Sequence, residues 1–224
     1  MKLRADNISS LSLSLTEMKG KLITFEGCEG CGKSTQLRLL KDYLDQKGID
    51  YISAREPGGT EISERIRAII LDGTLSGMSY RTEALLYAAA RCQIIKDVVK
   101  PALEAGKIVI LDRYIDSSFA YQAYARGLGF DFVASANSYA VANFMPDVTI
   151  FLNVPPENSF RRKGGADTGD RLEQEGMAFH KKVYEGYLTL LKKYPERIIP
   201  FTASGSKNDT HNEIVNYLTK MGFI

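Results

Sequence analysis

The chain has 224 residues, 44% of them hydrophobic and 25% charged, a composition that buries a full core in one α/β domain or two small ones. A net charge of +2 points to no nucleic acid and no anionic surface, and no apolar run reaches the roughly 18 residues of a membrane span. Three cysteines cannot all pair, and two of them fall inside a glycine-rich loop, so the composition fits a reducing, cytoplasmic setting rather than a disulfide framework.

Residues 1–17 are rich in Ser and Leu and lack the cleavage pattern of a secretory signal. They are expected to be a flexible extension ahead of a single domain over 18–224. From there, short β-branched runs alternate with segments of helical period. Lys21–Phe25, Tyr51–Ala54, Lys107–Leu111, Val148–Leu152 and Arg197–Phe201 are predicted strands, mostly continuous apolar runs of the kind parallel sheets cover on both faces. Leu37, Leu40 and Leu44 mark one face of a first helix, and Leu85, Ala89, Cys92, Ile95 and Val99 one face of a longer one. Asp131 is placed to cap a helix running to about Phe144, before Pro146, and a last helix is expected over Asn212–Met221. Repeated β-α-β units predict an α/β fold, a five-stranded parallel sheet with helices on both faces.

Gly27-Cys28-Glu29-Gly30-Cys31-Gly32-Lys33-Ser34 spells G-x-x-x-x-G-K-[ST] between the first strand and the first helix, the context this phosphate loop requires. Its backbone N–H groups and the helix dipole suit phosphate oxygens, Lys33 reaches the β/γ-phosphates of a bound nucleotide, Ser34 is placed on Mg²⁺, and Thr35 follows in the same turn. Cys28 and Cys31 also spell C-x-x-C, without the further ligand spacing of a zinc site; thiols at a helix N-terminus are expected to have lowered pKa values. Ile108–Leu111 ends in Asp112, a carboxylate at the strand edge where α/β sheets bind ligands, and a candidate for Mg²⁺ opposite Ser34. Arg113 beside it suits bidentate phosphate contact. Tyr87 and Arg91, four residues apart, share one helix face.

From Met18 on, the chain resembles the thymidylate kinase family, bacterial type, a branch of the P-loop nucleoside monophosphate kinases. The resemblance is carried by Phe25-Glu26-Gly27, the phosphate loop, Arg55-Glu56-Pro57-Gly58-Gly59-Thr60, the segment from Arg81 to Arg91, and the segment from Asp112 to Gln122. It implies ATP-dependent phosphorylation of dTMP, and homodimers packed through helices next to the site. It also implies residue roles. Tyr87 stacks on thymine and Arg91 donates to its O4. Arg67, with Arg113, binds the dTMP phosphate, and Arg55 and Glu56 line the same pocket. Glu29 contacts the sugar 3′-hydroxyl, Tyr121 crowds the 2′ position, and Ser118 and Gln122 meet the base. Residues 161–171 correspond to the mobile lid, whose Arg162 or Arg171 supplies the catalytic arginine because Gly30 stands where some members carry one in the loop.

Other readings remain at this stage: a kinase for another nucleotide or a nucleoside, a regulatory P-loop NTPase, and a redox module on Cys28 and Cys31. The chain contains no Asn-Lys-x-Asp guanine signature.

Overall fold

A computed structural model describes residues 20–163, 171–172, 174–203 and 205–224, the side chains of 160–163 excepted. Residues 1–17 and most of 161–171 therefore lie outside the described part. Five parallel strands form one sheet: β1 (Lys21–Glu26), β2 (Tyr51–Arg55), β3 (Ile108–Asp112), β4 (Val148–Leu152) and β5 (Ile198–Phe201), in the order β2-β3-β1-β4-β5. Each predicted strand is present to within a residue at either end. The continuous apolar runs have a direct cause: alternate residues feed two separate cores. Leu22, Val109 and Leu111 enter the cluster on one face, and Ile23, Phe25, Ile108 and Ile110 the cluster on the other.

Helix α1 (Lys33–Lys47) packs Leu37, Leu40 and Leu44 on the second face beside the C-terminal helix, and stops at Gly48 in the left-handed conformation. α2 (Glu61–Leu71) is capped by Thr60, and α3 (Tyr80–Ile94) by Ser79. α3 runs through a π-helical stretch, Ile95–Val99, into α4 (Lys100–Glu104). The wider turn lies just upstream of Pro101, whose ring would collide with the carbonyl four residues back. α5 (Ile115–Ser118) continues into a second π-helical stretch, Phe119–Ala125, followed by α6 (Phe130–Ala136), α7 (Ser138–Asn143), α8 (Pro156–Lys163), α9 (Met177–Lys193) and α10 (Lys207–Lys220).

Three helix expectations need correction. The buried face of α3 carries Glu83, Ala84, Ala88 and Arg91, whereas Leu85 is 51% exposed and Ala89 and Cys92 are also exposed. The single helix expected from Asp131 is two, because Asn137 leaves helical geometry: it is buried, donates from Nδ2 to Val133 O, and accepts at Oδ1 from Arg91. The last helix begins at Lys207, where Ser206 and Asp209 form a reciprocal capping box.

A polar seam crosses the core. Thr24 and Thr149 share a hydrogen bond of 2.9 Å, Thr149 Oγ1 donates to Asp116 Oδ2, and Arg197 grips both Asp116 oxygens at 2.6 and 2.7 Å. Asp116 is wholly buried, and Arg197 is its ion-pair partner.

Candidate active site

The register sets Phe25, Arg55 and Asp112 level at one edge of the sheet, so the loops after β1, β2 and β3 leave side by side. A cleft of about 420 Å³ opens there, lined by the phosphate loop and by residues of α2, α3, α5 and the second π-helical stretch, including Glu56, Arg67, Tyr87, Arg91, Arg113 and Gln122.

The phosphate loop curls because glycine permits it. Gly30 has φ +72°, and a Cβ there would sit 2.8 Å from Ser159 O, so no side chain fits this position. Lys33 Nζ lies against the loop and donates to Gly27 O and Cys28 O, both at 3.2 Å. Gly32, Ser34, Thr35 and Glu29 line the cleft, while Gly27, Cys28 and Cys31 form the buried back of the loop. The expected low thiol pKa is overturned for Cys28: burial pushes its thiol up to about 12, outweighing Lys33 and Arg113.

Arg113 is the one non-glycine residue with positive φ, at 65°, among those described. Such a conformation costs of order 1–3 kcal/mol and persists where the surroundings enforce it. Here its N–H donates to Phe25 O, its Nη1 to Gly27 O at 3.0 Å, and its Nη2 to Glu29 at 3.2 Å. The guanidinium also lies 5.3 Å from the centre of the Tyr121 ring. The turn thereby aims a cation into the space in front of the phosphate loop. Glu26 underpins it, accepting from Tyr114 N, Ser117 N, Ser117 Oγ and Tyr187 OH. Burial raises the Glu26 pKa, Asp116 adds to this, and Arg113, Ser117 and Tyr187 oppose it.

On the other side of the cleft, Arg55 Nη1 and Arg67 Nη1 both donate to Pro57 O, at 2.8 and 2.9 Å, which gathers two cations over one turn. Glu64 ties that turn by accepting from Gly59 N and Arg55. Tyr87 lines the cleft beside Arg91. Arg91 is 1% exposed, and its five N–H groups all face protein acceptors: Glu56 Oε2, Ser118 Oγ, Asn137 Oδ1 and Tyr114 O. Burial carries the Glu56 carboxyl up to about 7 against the pull of Arg91. Gln122 Nε2 donates to buried Glu83.

Asp112 faces the cleft with Ser34, and its Oδ1 is buried without a hydrogen-bond partner among the described residues. A carboxylate oxygen left open beside a serine hydroxyl fits a hard divalent cation completed by phosphate oxygens and water. Arg171 does not line the cleft. Its Nη2 donates to Glu83 Oε2 at 2.6 Å and its Nε to Ile70 O. Arg162 lies outside the described side chains.

Sequence reasoning missed Glu26, Glu83, Ser117, Asn137 and Tyr187. For Glu83 a signal existed: it stands one and two turns before Tyr87 and Arg91, on the face that enters the core. Asn137 and Tyr187 gave none, because only packing brings their distant segments here.

The family model for thymidylate kinase matches residues 25–214, essentially the whole of this architecture. The chain belongs to the thymidylate kinase family. A thymidylate kinase of Thermoanaerobacter sp. (strain X514) is 45% identical over 203 residues, covering 91% of this chain and 99% of that one. A thymidylate kinase of Bacillus licheniformis is 49% identical over 191 residues, covering 84% and 90%. The crystal structure of thymidylate kinase from Ehrlichia chaffeensis superposes with a TM-score of 0.74 at 31% identity, covering 89% of this chain and 98% of that one. As a thymidylate kinase family member, the chain is an ATP-dependent nucleoside monophosphate kinase acting on dTMP.

Proposed function

We propose that this chain transfers the γ-phosphoryl group of ATP to dTMP by positioning and charge neutralisation alone, with the following residues. The observation that carries the reading is Arg113, held at a strained φ of 65° so that its guanidinium lies between the phosphate loop, Glu29 and Tyr121. The acceptor, a phosphate monoester, is already an anion, so no general base is required. The remaining task is to bring two anionic groups in line and absorb the charge of the transition state.

Lys33 turns from the loop carbonyls to the β/γ-phosphates, and the loop N–H groups from Gly27 to Thr35 cradle them. Ser34 and Asp112 hold Mg²⁺, which when bound neutralises phosphate charge. Arg55, Arg67 and Arg113 bind the acceptor phosphate from opposite sides. Tyr87 stacks on thymine, Arg91 yields a donor from the Ser118 hydroxyl to the O4 carbonyl, and Gln122 meets the ring edge. Glu29 contacts the 3′-hydroxyl, and Tyr121 crowds the 2′ position. With Arg171 engaged by Glu83, Arg162 is assigned the transition-state charge from the 161–171 segment.

The enzyme is also proposed to be a cytoplasmic homodimer; among the described residues no helix is long and apolar enough to cross a membrane. The deciding experiment is an ADP-release assay with Mg²⁺ and ATP across dTMP, dUMP, dCMP, dGMP, AMP and thymidine. Turnover is expected to favour dTMP and to vanish in Lys33→Ala, with the circular-dichroism spectrum unchanged. A preference for thymidine, or ADP release indifferent to acceptor, would void the roles assigned above.

A further inference from the structure

Behind the pocket wall sits a charged group that does not itself line the cleft. Glu83 is wholly buried on α3, and both its oxygens are occupied. Oε1 accepts from Gln122 Nε2 at 2.9 Å and from Arg126 Nε at 3.4 Å; Oε2 accepts from Arg126 Nη2 at 3.2 Å and from Arg171 Nη2 at 2.6 Å. Arg126 is itself clasped by Glu175 at 2.6 Å and lies between the rings of Tyr80 and Phe179, at 4.5 and 4.4 Å. Every group facing the carboxylate is a donor. A carboxylate between two guanidinium groups accepts hydrogen bonds and does not donate them. The amide of Gln122 can therefore meet it only through its NH₂ end.

That constraint fixes the other end. Gln122 is 2% exposed and lines the cleft, and with one Nε2 hydrogen committed to Glu83 the amide cannot turn over, so its carbonyl oxygen is the acceptor it keeps on the other side. An amide oxygen accepts from a ring N–H. The N3 position of thymine and uracil is such a donor, whereas N3 of cytosine is an acceptor and would oppose oxygen with a lone pair. We infer that Glu83 is a positioning residue for base selection: it locks the Gln122 amide carbonyl-inward, so that the pocket favours lactam pyrimidines over cytosine. This rests on the dTMP reading above and adds to it the group that sets the polarity of one contact.

Replacing Glu83 by Gln keeps the shape but supplies a side chain that can donate or accept, which frees the Gln122 amide to turn over. In E83Q the ratio of kcat/KM for dTMP over dCMP is expected to fall about tenfold or more, the discrimination of one buried hydrogen bond. The loss is expected in KM for the nucleotide monophosphate, with KM for ATP unmoved. E83D, still acceptor-only, is expected to keep a ratio close to wild type. In a Gln122→Met background E83Q should change the ratio no further, since the effect travels through the amide. An unchanged ratio in E83Q, or equal shifts in KM for dTMP and ATP, overturns the inference. Should E83Q fail to fold, Q122M alone carries the test: it must lower the same ratio about tenfold, and an unaltered ratio there overturns the inference as well. Wild-type turnover separates the two levels, because a wild-type enzyme that does not prefer dTMP defeats the dTMP reading itself.

Discussion

At the scale of single residues, the site is an arrangement of cations held in place by buried carboxylates. Glu26 supports the Arg113 turn, Glu56 grips Arg91, and Glu83 anchors Arg126 and Arg171. Such buried pairs fix geometry more than they stabilise, since desolvation offsets most of the Coulomb gain. Glu56 makes the balance measurable. Its folded-state pKa is about 7 and its ordinary value is 4.5. Between those values the unfolded chain releases the proton that the native state keeps, so the contribution of Glu56 to stability declines as pH rises from about 4.5 to 7. Urea denaturation of wild type and Glu56→Gln at intervals across that range should show a shallower decline in the variant. Parallel curves would mean that Glu56 does not titrate there.

At the scale of elements, boundaries followed local chemistry wherever a cap was present. Thr60, Ser79 and Ser206 each accept from an N–H of the following turn. The Ser206–Asp209 box was legible as Ser-x-x-Asp, yet the apolar period starting at Asn212 hid the first turn and a half of α10. α6 and α7 differ, because at their break Asn137 bonds Arg91 of a helix distant in sequence, a partner no local pattern announces. The seam that joins β1, β4 and α5 to Arg197, just ahead of β5, is another product of assembly. Arg197→Ala leaves Asp116 buried with Thr149 as its remaining described partner, and should lower unfolding free energy by about 3–5 kcal/mol. Thermal denaturation checks this; a loss below about 1 kcal/mol would show that water replaces the guanidinium.

At the scale of the whole molecule, α2 and α3 pack together and present Ile62, Ile69 and Leu85 to the outside, at 52%, 46% and 51% exposure. These helices also carry Arg67, Tyr87 and Arg91 on their other faces, so association through them would brace the acceptor pocket from behind. This is the surface on which the proposed homodimer rests. Leu85→Glu is expected to convert a species of twice 24.9 kDa into a monomer in sedimentation velocity, with helical content retained. A wild-type protein already monomeric at micromolar concentration would remove the dimer from the proposal.

The sequence by itself determined the strands, the phosphate loop, the place of Asp112 and Arg113 at the ligand edge of the sheet and the shared helix face of Tyr87 and Arg91, while the family resemblance added that pair to the same crevice. Each of these is written in contiguous residues: apolar runs bounded by turns, a glycine spacing, a carboxylate at the end of a strand, an i,i+4 pair. Only the tertiary structure decided what holds them. Asn137 reaches Arg91, Tyr187 reaches Glu26 and Arg171 reaches Glu83 across long stretches of chain. The same holds for the exposed stripe of α3, which has the period of a core face but lies on the side away from the sheet. Periodicity reports that a helix has an apolar face; which partner covers it depends on the directions in which the sheet register sends the loops, and those directions are set by the whole molecule.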